Sequence, residues 1–384
     1  MSNSALPLSG MLVADFSRVL AGPLATATLA DLGARVIKVE RPGSGDETRA
    51  WGPPWTANTS SYFESCNRTK ESVTLDLTVP GDAALARELA IRADVLVENF
   101  RTGTMERHGL GYQQLRADNP GLVYCSITGF GSGAGADLPG YDFLVQAVGG
   151  LMSITGEPDG TPTKVGVALV DVLTSKDAVA GILAALLARG SSGEGQHVQV
   201  NLLSSLLASL VNQASAFAAT GRPPERLGNA HPSIAPYELL RCADAMLAVA
   251  CGNDAQFARL ARVLGDAALA DDARFASNGA RVTNRAVLVP ALERLLGTDT
   301  AAHWAERLAE VGVPAGQLGS IEDGFALAGT LGLDPLVDVG EDRPAQVRHP
   351  VSYSRTPVTD YQAPPRLGEH SDELRRWLSK EEQP

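Results

Sequence analysis

The chain has 384 residues, 44% of them hydrophobic and 20% charged, which is enough for two or three globular domains with a sizeable core. Its formal net charge of −12 argues against a nucleic-acid partner, which would need a basic face, and it means that any polyanionic ligand must be held by a local basic cluster. No apolar run is both long enough and uncharged enough to span a membrane, so no membrane partner is expected.

In chain order, "MSNSALPLSG" (1–10) has neither a basic nor an apolar leader region, so no secretory signal is expected there. "MLVADF" (11–16) predicts a buried strand, "AGPLATATLADLG" (21–33) a helix stopped by Gly33, and "ARVIKVE" (34–40) the next strand. This βαβ unit implies a parallel sheet. The pattern returns with a helix over 82–93, a strand over 94–100, a helix end at 112–121 and a strand over 122–131 that enters "GFGSGAG" (129–135), expected to be a mobile loop. "GVALVDVLTSKDAVAGILAALLA" (166–188) predicts a short buried strand running into an Ala-rich helix, with Asp171 at the join. "HVQVNLL" (197–203) predicts another strand, leading into one apolar helix to about Ala219.

The composition changes at "TGRPPERLGNAHPS" (220–233), which is polar and Pro-rich and predicts a linker. A hairpin over 237–253 with Ala243-Asp244 near its turn follows, then helices at 254–264, 281–296 and 300–311. From 331 the chain turns polar, and "GEHSDELRRWLSK" (368–380) predicts a closing helix. The expected fold class is α/β. It comprises a Rossmann-like open parallel-sheet domain over 1–219, a linker over 220–236, a smaller α+β domain over 237–330, and a return segment over 331–384 that goes back to the large domain.

The standard signatures are missing. The first βα turn, "SRVLAGPLA" (17–25), lacks G-x-G-x-x-G. The 129–135 glycines are not followed by Lys-Ser/Thr, and no G-x-S-x-G elbow occurs. The six histidines are dispersed, with no pair spaced to bind a metal on one helix face, so no metal is expected. Cys66, Cys125, Cys242 and Cys251 have no paired spacing and are expected to be reduced thiols of a cytoplasmic protein. Asp171 has two compatible readings. It is a favoured residue type for a helix N-cap, and it is also a candidate nucleophile kept ionised by the positive helix end. A carboxylate nucleophile needs no general base and no metal.

The chain resembles the class III CoA-transferase family, which includes formyl-CoA transferase, carnitine CoA-transferase and α-methylacyl-CoA racemase. The resemblance rests on "VLAGPLATATLADLGARVIKVERPGSGDETR" (19–49), "DVLVENFRTGTMERHGLGY" (94–112), "YCSITGFG" (124–131), "GYDFLVQAVGGLMSITGEPDG" (140–160), the Asp171 segment and "GEGQHVQVNLL" (193–203), in that order and across the chain. Through "RLGNAHPSIAPY" (226–237) and "GNDAQF" (252–257) it looks most like the succinate–hydroxymethylglutarate type.

The resemblance implies that Asp171 attacks an acyl-CoA such as succinyl-CoA, giving a mixed anhydride, then an aspartyl-CoA thioester, and that CoA passes to a free carboxylic acid. CoA is substrate and product, with no tightly bound cofactor, and the implied assembly is an interlocked homodimer. Carried over by motif, Val19, Leu20 and Ala21 line the first turn for CoA. Arg41 suits the adenosine phosphates, Asn99, Phe100 and Arg107 lie near a strand exit, and Leu75 and Leu202 pack apolar parts. Gly252 and Asn253 fall in the family's glycine loop, either as oxyanion donors and shield or as a plain turn. The family often has Lys where Thr78 stands, and formyl-CoA transferase has Gln where Leu20 stands. The racemases' Gly-His-Asp reads Gly140-Tyr141-Asp142 here, and neutral Tyr141 is a poor base for an α-proton, which favours transfer over racemisation. A CoA-binding protein without catalysis would leave Asp171 as a cap only. Arg18, Arg68 and His231 are the candidate cations for an acid's distal carboxylate.

Overall fold

The computed structural model describes residues 5–340 and 343–379. The opening residues 1–4 of the leader reading and Lys380 of the closing helix lie outside the described residues, as do 341–342 of the return segment. Six strands, β1 (Leu12–Asp15), β2 (Arg35–Glu40), β3 (Lys70–Thr74), β4 (Val95–Glu98), β5 (Val123–Thr128) and β6 (His197–Asn201), form a parallel sheet in the order β3-β2-β1-β4-β5-β6. This is the doubly wound order, whose direction reverses between β1 and β4. Ligands of such sheets bind beyond the carboxyl ends of the strands at that reversal.

Both faces of the sheet are covered, as a parallel sheet requires. On one face, helix Ala21–Asp31 packs against helix Leu169–Ser192. Small residues on both helices (Ala21, Ala25 and Ala30, with Ala178 and Ala185) are buried there with Leu29, Val97 and Ile182. On the other face, Leu89 and Ala90 of helix Pro80–Arg92 are buried with Leu110, Leu115 and Tyr124. Leu374 and Leu378 of the closing helix Ser371–Leu378 join them, and Arg375 pairs with Asp82 at 2.7 Å.

Two expectations need correction, and one strand has no counterpart in the sequence pattern. The strand expected just before Asp171 is absent: residues 161–168 are irregular, and Val167 is exposed. The apolar helix after β6 is two helices, Leu202–Ser209 and Val211–Thr220, bent by 81°. Val211 there has a left-handed backbone (φ 38°) that a continuous helix cannot contain. Among the described residues no single helix is long and apolar enough to cross a membrane, and this bent pair reaches that length and apolarity only when its two parts are taken together. Strand β3, "KESVT", lacks the apolar pattern of a buried strand. Its Lys70 and Ser72 are nevertheless buried, because Lys70 bonds Asp15 of β1, two strands away, and Ser72 bonds Glu40 of the adjacent β2.

The chain divides into two compact units. One contains the parallel sheet and is built from residues up to Leu151, Val165–Gly221 and the described residues from Asp334 on. The other is Met152–Lys164 with Arg222–Leu333, so 152–164, read from sequence as part of the first 219 residues, packs with the later segment. In it β7 (Tyr237–Arg241), β8 (Met246–Ala250) and β9 (Ala315–Gln317) form an antiparallel sheet in that order. The β7–β8 turn closes with Cys242 N–H donating to Ala245 O (2.9 Å). Helices Asp254–Val263, Arg285–Leu296 and Ala301–Glu310 bury Phe257, Leu292 and Trp304 in one core.

Candidate active site

Two clefts lie along the carboxyl edge of the parallel sheet, within the first unit. The first, of about 250 Å³, is lined by the turn after β1, the segments after β4 and β5, and the start of the Asp171 helix. The second, of about 710 Å³, is lined by the segments after β1, β2 and β3. Arg18, Glu47 and Phe100 line both, so the two clefts adjoin.

The turn after β1 is held at every residue. Asp15 accepts from the N–H (3.0 Å) and hydroxyl of Ser17, and buried Lys38 donates to the Ser17 carbonyl (2.9 Å). Arg18 N–H donates to Asn99 Oδ1 (2.9 Å), while Asn99 Nδ2 donates back to the Arg18 carbonyl (2.7 Å). Val19 N–H meets both oxygens of Asp46 at 3.3 Å. Val19 has φ 69°, a conformation that costs a β-branched residue on the order of 1–3 kcal/mol and persists only where its surroundings enforce it. The turn also needs Gly22, whose Cβ would sit 2.2 Å from that of Ser17. Behind it lies a fully buried ion cluster, Lys38–Asp46 at 2.9 Å and Lys70–Asp15 at 3.0 Å. Burial alone would raise the Asp15 carboxyl, but Lys70 and Lys38 outweigh it and bring it down to about 2.

The cap of the Asp171 helix comes from another residue. Its N-cap position is Ala168, and Asp171 lies in the first turn without a side-chain cap bond. The capping carboxylate is that of Asp142, at the head of helix Asp142–Val148. It accepts from Val170 N–H (2.7 Å) and Asp171 N–H (3.3 Å) at Oδ2, and from Gln146 Nε2 (2.6 Å) at Oδ1. The electropositive end therefore serves Asp142. Asp171 lines the first cleft with its carboxyl pushed up to about 7, first by burial and then by the charge of Asp142. The expectation that the helix end keeps Asp171 ionised is thus corrected, because the N–H groups that would do so are occupied.

Val19, Leu20, Ala21, Asn99, Phe100, Leu202 and Tyr141 line the first cleft with Arg18 and Asp171, while Arg41, Leu75 and Thr78 line the second with Phe100. The glycine-rich segment after β5 forms one wall and is pinned at its ends. Gly129 and Gly140 touch so closely that a Cβ on either would lie 2.4 Å from the other's Cα. Asp142 is buried behind the cleft as the cap. Arg107 does not line either cleft; it is exposed and bonds Thr104 Oγ1 at 2.9 Å. Arg68 is buried against Asp31 (Nε–Oδ1 2.9 Å) and is consumed there. Three residues belong to the second unit: His231, whose Nδ1 accepts from Ser233 N–H (3.0 Å), Gly252, whose N–H donates to Gln256 Oε1 (2.8 Å), and Asn253, which caps helix Asp254–Val263 through Gln256 N–H (2.9 Å).

Tyr62 escaped the sequence reading. Burial and then the charge of Asp171 push its phenol up to about 12, and Trp51 packs edge-on to its ring at 5.4 Å. "SSYFES" carries no pattern that would have shown this. Glu47, which lines both clefts, was also missed, because a charge in a polar loop reads as solvated surface.

Residues 8–371 match the family described as CoA-transferase family III. The chain is 45% identical to the succinate–glutarate CoA-transferase of Agrobacterium fabrum, with 97% of this chain and 96% of that protein aligned. It is 39% identical to the succinyl-CoA:glutarate CoA-transferase of Mus musculus, over 96% of this chain and 86% of that one. A CAIB/BAIF family protein from Brucella suis, known by crystal structure, superposes with a TM-score of 0.88 at 42% identity, covering 98% of this chain and all of that one (100%).

Proposed function

The chain belongs to CoA-transferase family III and is a CoA-transferase, and on that premise we propose that it moves CoA between dicarboxylic acids through covalent intermediates on Asp171. The names of its relatives favour succinyl-CoA as donor and a diacid such as glutarate as acceptor. One observation carries the assignment to Asp171: it is a half-buried acid lining a cleft at the sheet's reversal point, with its helix capped by a different carboxylate.

In this reading the Asp171 carboxylate attacks the donor thioester, the C–S bond breaks, and CoA leaves as thiolate. The thiolate attacks the aspartyl carbonyl of the anhydride, expels the donor acid and forms aspartyl-CoA. The acceptor acid then attacks the aspartyl-CoA carbonyl and displaces the thiolate, which next attacks the acceptor's own carbonyl and frees Asp171. Desolvation suits both steps of the first half-reaction. A carboxylate with a pKa of about 7 is a stronger base than an ordinary acid near 4, hence a better nucleophile. In the anhydride, the donor acid is the weaker base of the two and leaves more readily. CoA is then a substrate, with its pantetheine end in the first cleft beside Val19–Ala21 and its phosphates by Arg41 in the second.

The reading includes a homodimer. Polar linkers suit chains that cross between copies, and Ile321, Leu327, Leu331 and Leu333 stand exposed, as interface side chains do. Light scattering should report the mass of two chains. The reading also places the enzyme in the cytoplasm, where four buried, unpaired thiols stay reduced.

The deciding experiment labels the acceptor with 18O. Its carboxylate oxygen becomes the anhydride bridge and remains on Asp171 when the acceptor leaves as thioester. The peptide containing Asp171 should gain about 2 to 4 Da over repeated turnover. An unshifted peptide from enzyme that is turning over would rule out covalent catalysis at Asp171, because direct transfer between thioester and acid leaves it unlabelled.

A further inference from the structure

A diacid presents one carboxylate to the reacting centre and a second that needs a cation. Of the three cations expected from sequence, Arg68 is consumed by Asp31 and His231 lies in the second unit, whereas Arg18 lines the cleft of Asp171. Arg18 is unusually well placed for a side chain at the edge of a cleft. Asn99 grips its backbone from both sides, at 2.9 and 2.7 Å, and its guanidinium lies over the Phe100 ring at 4.8 Å. It already holds one carboxylate: Nη1 meets Glu47 Oε1 at 2.6 Å. Both side chains of that pair are open to the clefts, 41% and 47% exposed, and both line the two clefts where they adjoin. The Arg18 Nε is buried without a hydrogen-bond partner among the described residues, so Glu47 satisfies the guanidinium only in part.

We propose that Arg18 receives the distal carboxylate of a diacid substrate and that Glu47 is the carboxylate it gives up, so that this pair sets the preference for diacids over monoacids. The inference rests on the transfer reaction proposed above and adds its specificity determinant. The exchange is favourable because the two partners sit in different media. A water-exposed ion pair such as Arg18–Glu47 stabilises its closed form by about fivefold at most. A substrate carboxylate enters a narrow cleft from which it displaces water, where a charge-assisted contact to a planar guanidinium is stronger. Glu47 then turns to solvent, which it already half faces. In the unliganded protein it keeps the cation from sitting unpaired above Phe100, and a monoacid offers nothing that would dislodge it. Arg101 lines the same cleft, but it is exposed, and among the described residues neither a ring nor a carboxylate is seated on its guanidinium.

The test compares kcat/KM for glutarate and for pentanoate, two acids of equal carbon count, at saturating succinyl-CoA. In Arg18→Met the glutarate-to-pentanoate ratio should fall by about tenfold or more, the loss expected for one charged contact. In Glu47→Ala the KM for glutarate should fall about two- to fivefold, because the competing carboxylate is gone. In Arg101→Met the ratio should move by less than about twofold. An unchanged ratio in Arg18→Met overturns the proposal. So does an equal loss for both acids accompanied by weaker binding of free CoA, which would make Arg18 a phosphate ligand, and so does an effect carried by Arg101→Met instead. Equilibrium binding of glutarate against pentanoate to the unliganded enzyme reads the same preference without turnover. Binding that follows this pattern in a chain that transfers nothing would remove the transfer reaction and keep the pair, whereas transfer with an unaltered ratio removes the pair alone.

Discussion

Asp46, buried, and Asp171, half-buried, are acids at the carboxyl edge of one sheet, yet their surroundings push them in opposite directions. Burial would raise Asp46, but Lys38 at 2.9 Å and the Thr48 N–H and hydroxyl outweigh it, and its carboxyl falls below the usual range. Asp171 has burial and the charge of Asp142 acting on it, both in the same direction, and rises to about 7. The compensated acid spends its oxygens on backbone, including the strained Val19 N–H. The uncompensated acid lines the cleft instead. Compensation therefore separates the acid that builds the site from the one proposed to react in it, more clearly than burial does.

The comparison breaks most sharply at the reacting end. Asp171→Ala should lower CoA transfer by at least about a thousandfold, as expected when a covalent nucleophile is removed, while CoA still binds through the second cleft. Acyl exchange rates and CoA titration of the same preparation measure the two effects. Wild-type-like turnover in this variant would undo the assignment.

The structural end should yield next. Lys38→Met leaves Asp46 buried and without its cation, and should destabilise the protein by about 3–5 kcal/mol in chemical denaturation, the cost of an uncompensated buried charge. A loss below about 1 kcal/mol would mean that water or another group replaces Lys38 at no cost.

The two acids also give stability opposite dependence on pH. For Asp171 the folded-state pKa is raised, so its contribution is fully present below the ordinary carboxylate range near 4 and is lost as pH rises through about 7. Asp171→Asn removes that loss. It should be more stable than the parent at pH 8 by on the order of 3 kcal/mol, and equal to it below about pH 4. For Asp46 the folded pKa is depressed, so its contribution is present above the ordinary range and is lost only as pH falls below it. Thermal melts of parent and Asn variant across this range test the sign; an Asn variant less stable than its parent at pH 8 would reverse it. The same ionisation should make kcat/KM for transfer rise through about pH 7, since only the carboxylate attacks.

These relations were unevenly legible in the sequence. The β1–helix–β2 unit, Gly33 and the β7–β8 hairpin follow from short-range periodicity and turn chemistry, and the strand ends place the segments around Val19, Arg41 and Asn99 on one edge. A charged strand such as β3 does not announce itself, because what buries Lys70 is Asp15, 55 residues away. Asp171 looked like its own helix's cap because residue preference sees only neighbours, and Asp142, 28 residues before Val170, is out of its view. Arg68 and Arg107 were both arginines in polar text. Only packing shows that one is locked to Asp31 and the other lines neither cleft.

The smallest effect bears on the claim that the first turn is held under strain. At most positions Ala is more favourable than Gly by about 0.5–1 kcal/mol, because Gly has more unfolded-state freedom to lose. At residue 19 the order should invert. The backbone there has φ 69°, which Ala adopts only at a cost of about 1–2 kcal/mol and Gly adopts freely. Val19→Gly should therefore be more stable than Val19→Ala by roughly 1 kcal/mol. Both variants lose the two γ-methyls of Val19, so their packing in the cleft wall cancels from the difference and only the contacts of Cβ remain in it. If Asp46 holds the turn against that strain, the Gly variant should also feel Asp46→Asn less than the Ala variant does, because less strain is left to oppose. Denaturation of the four proteins, Gly or Ala at 19 with Asp or Asn at 46, measures this coupling directly. An Ala variant at least as stable as the Gly variant would mean that the turn relaxes out of the left-handed region, and that Asp46 serves Lys38 and Thr48 without holding Val19.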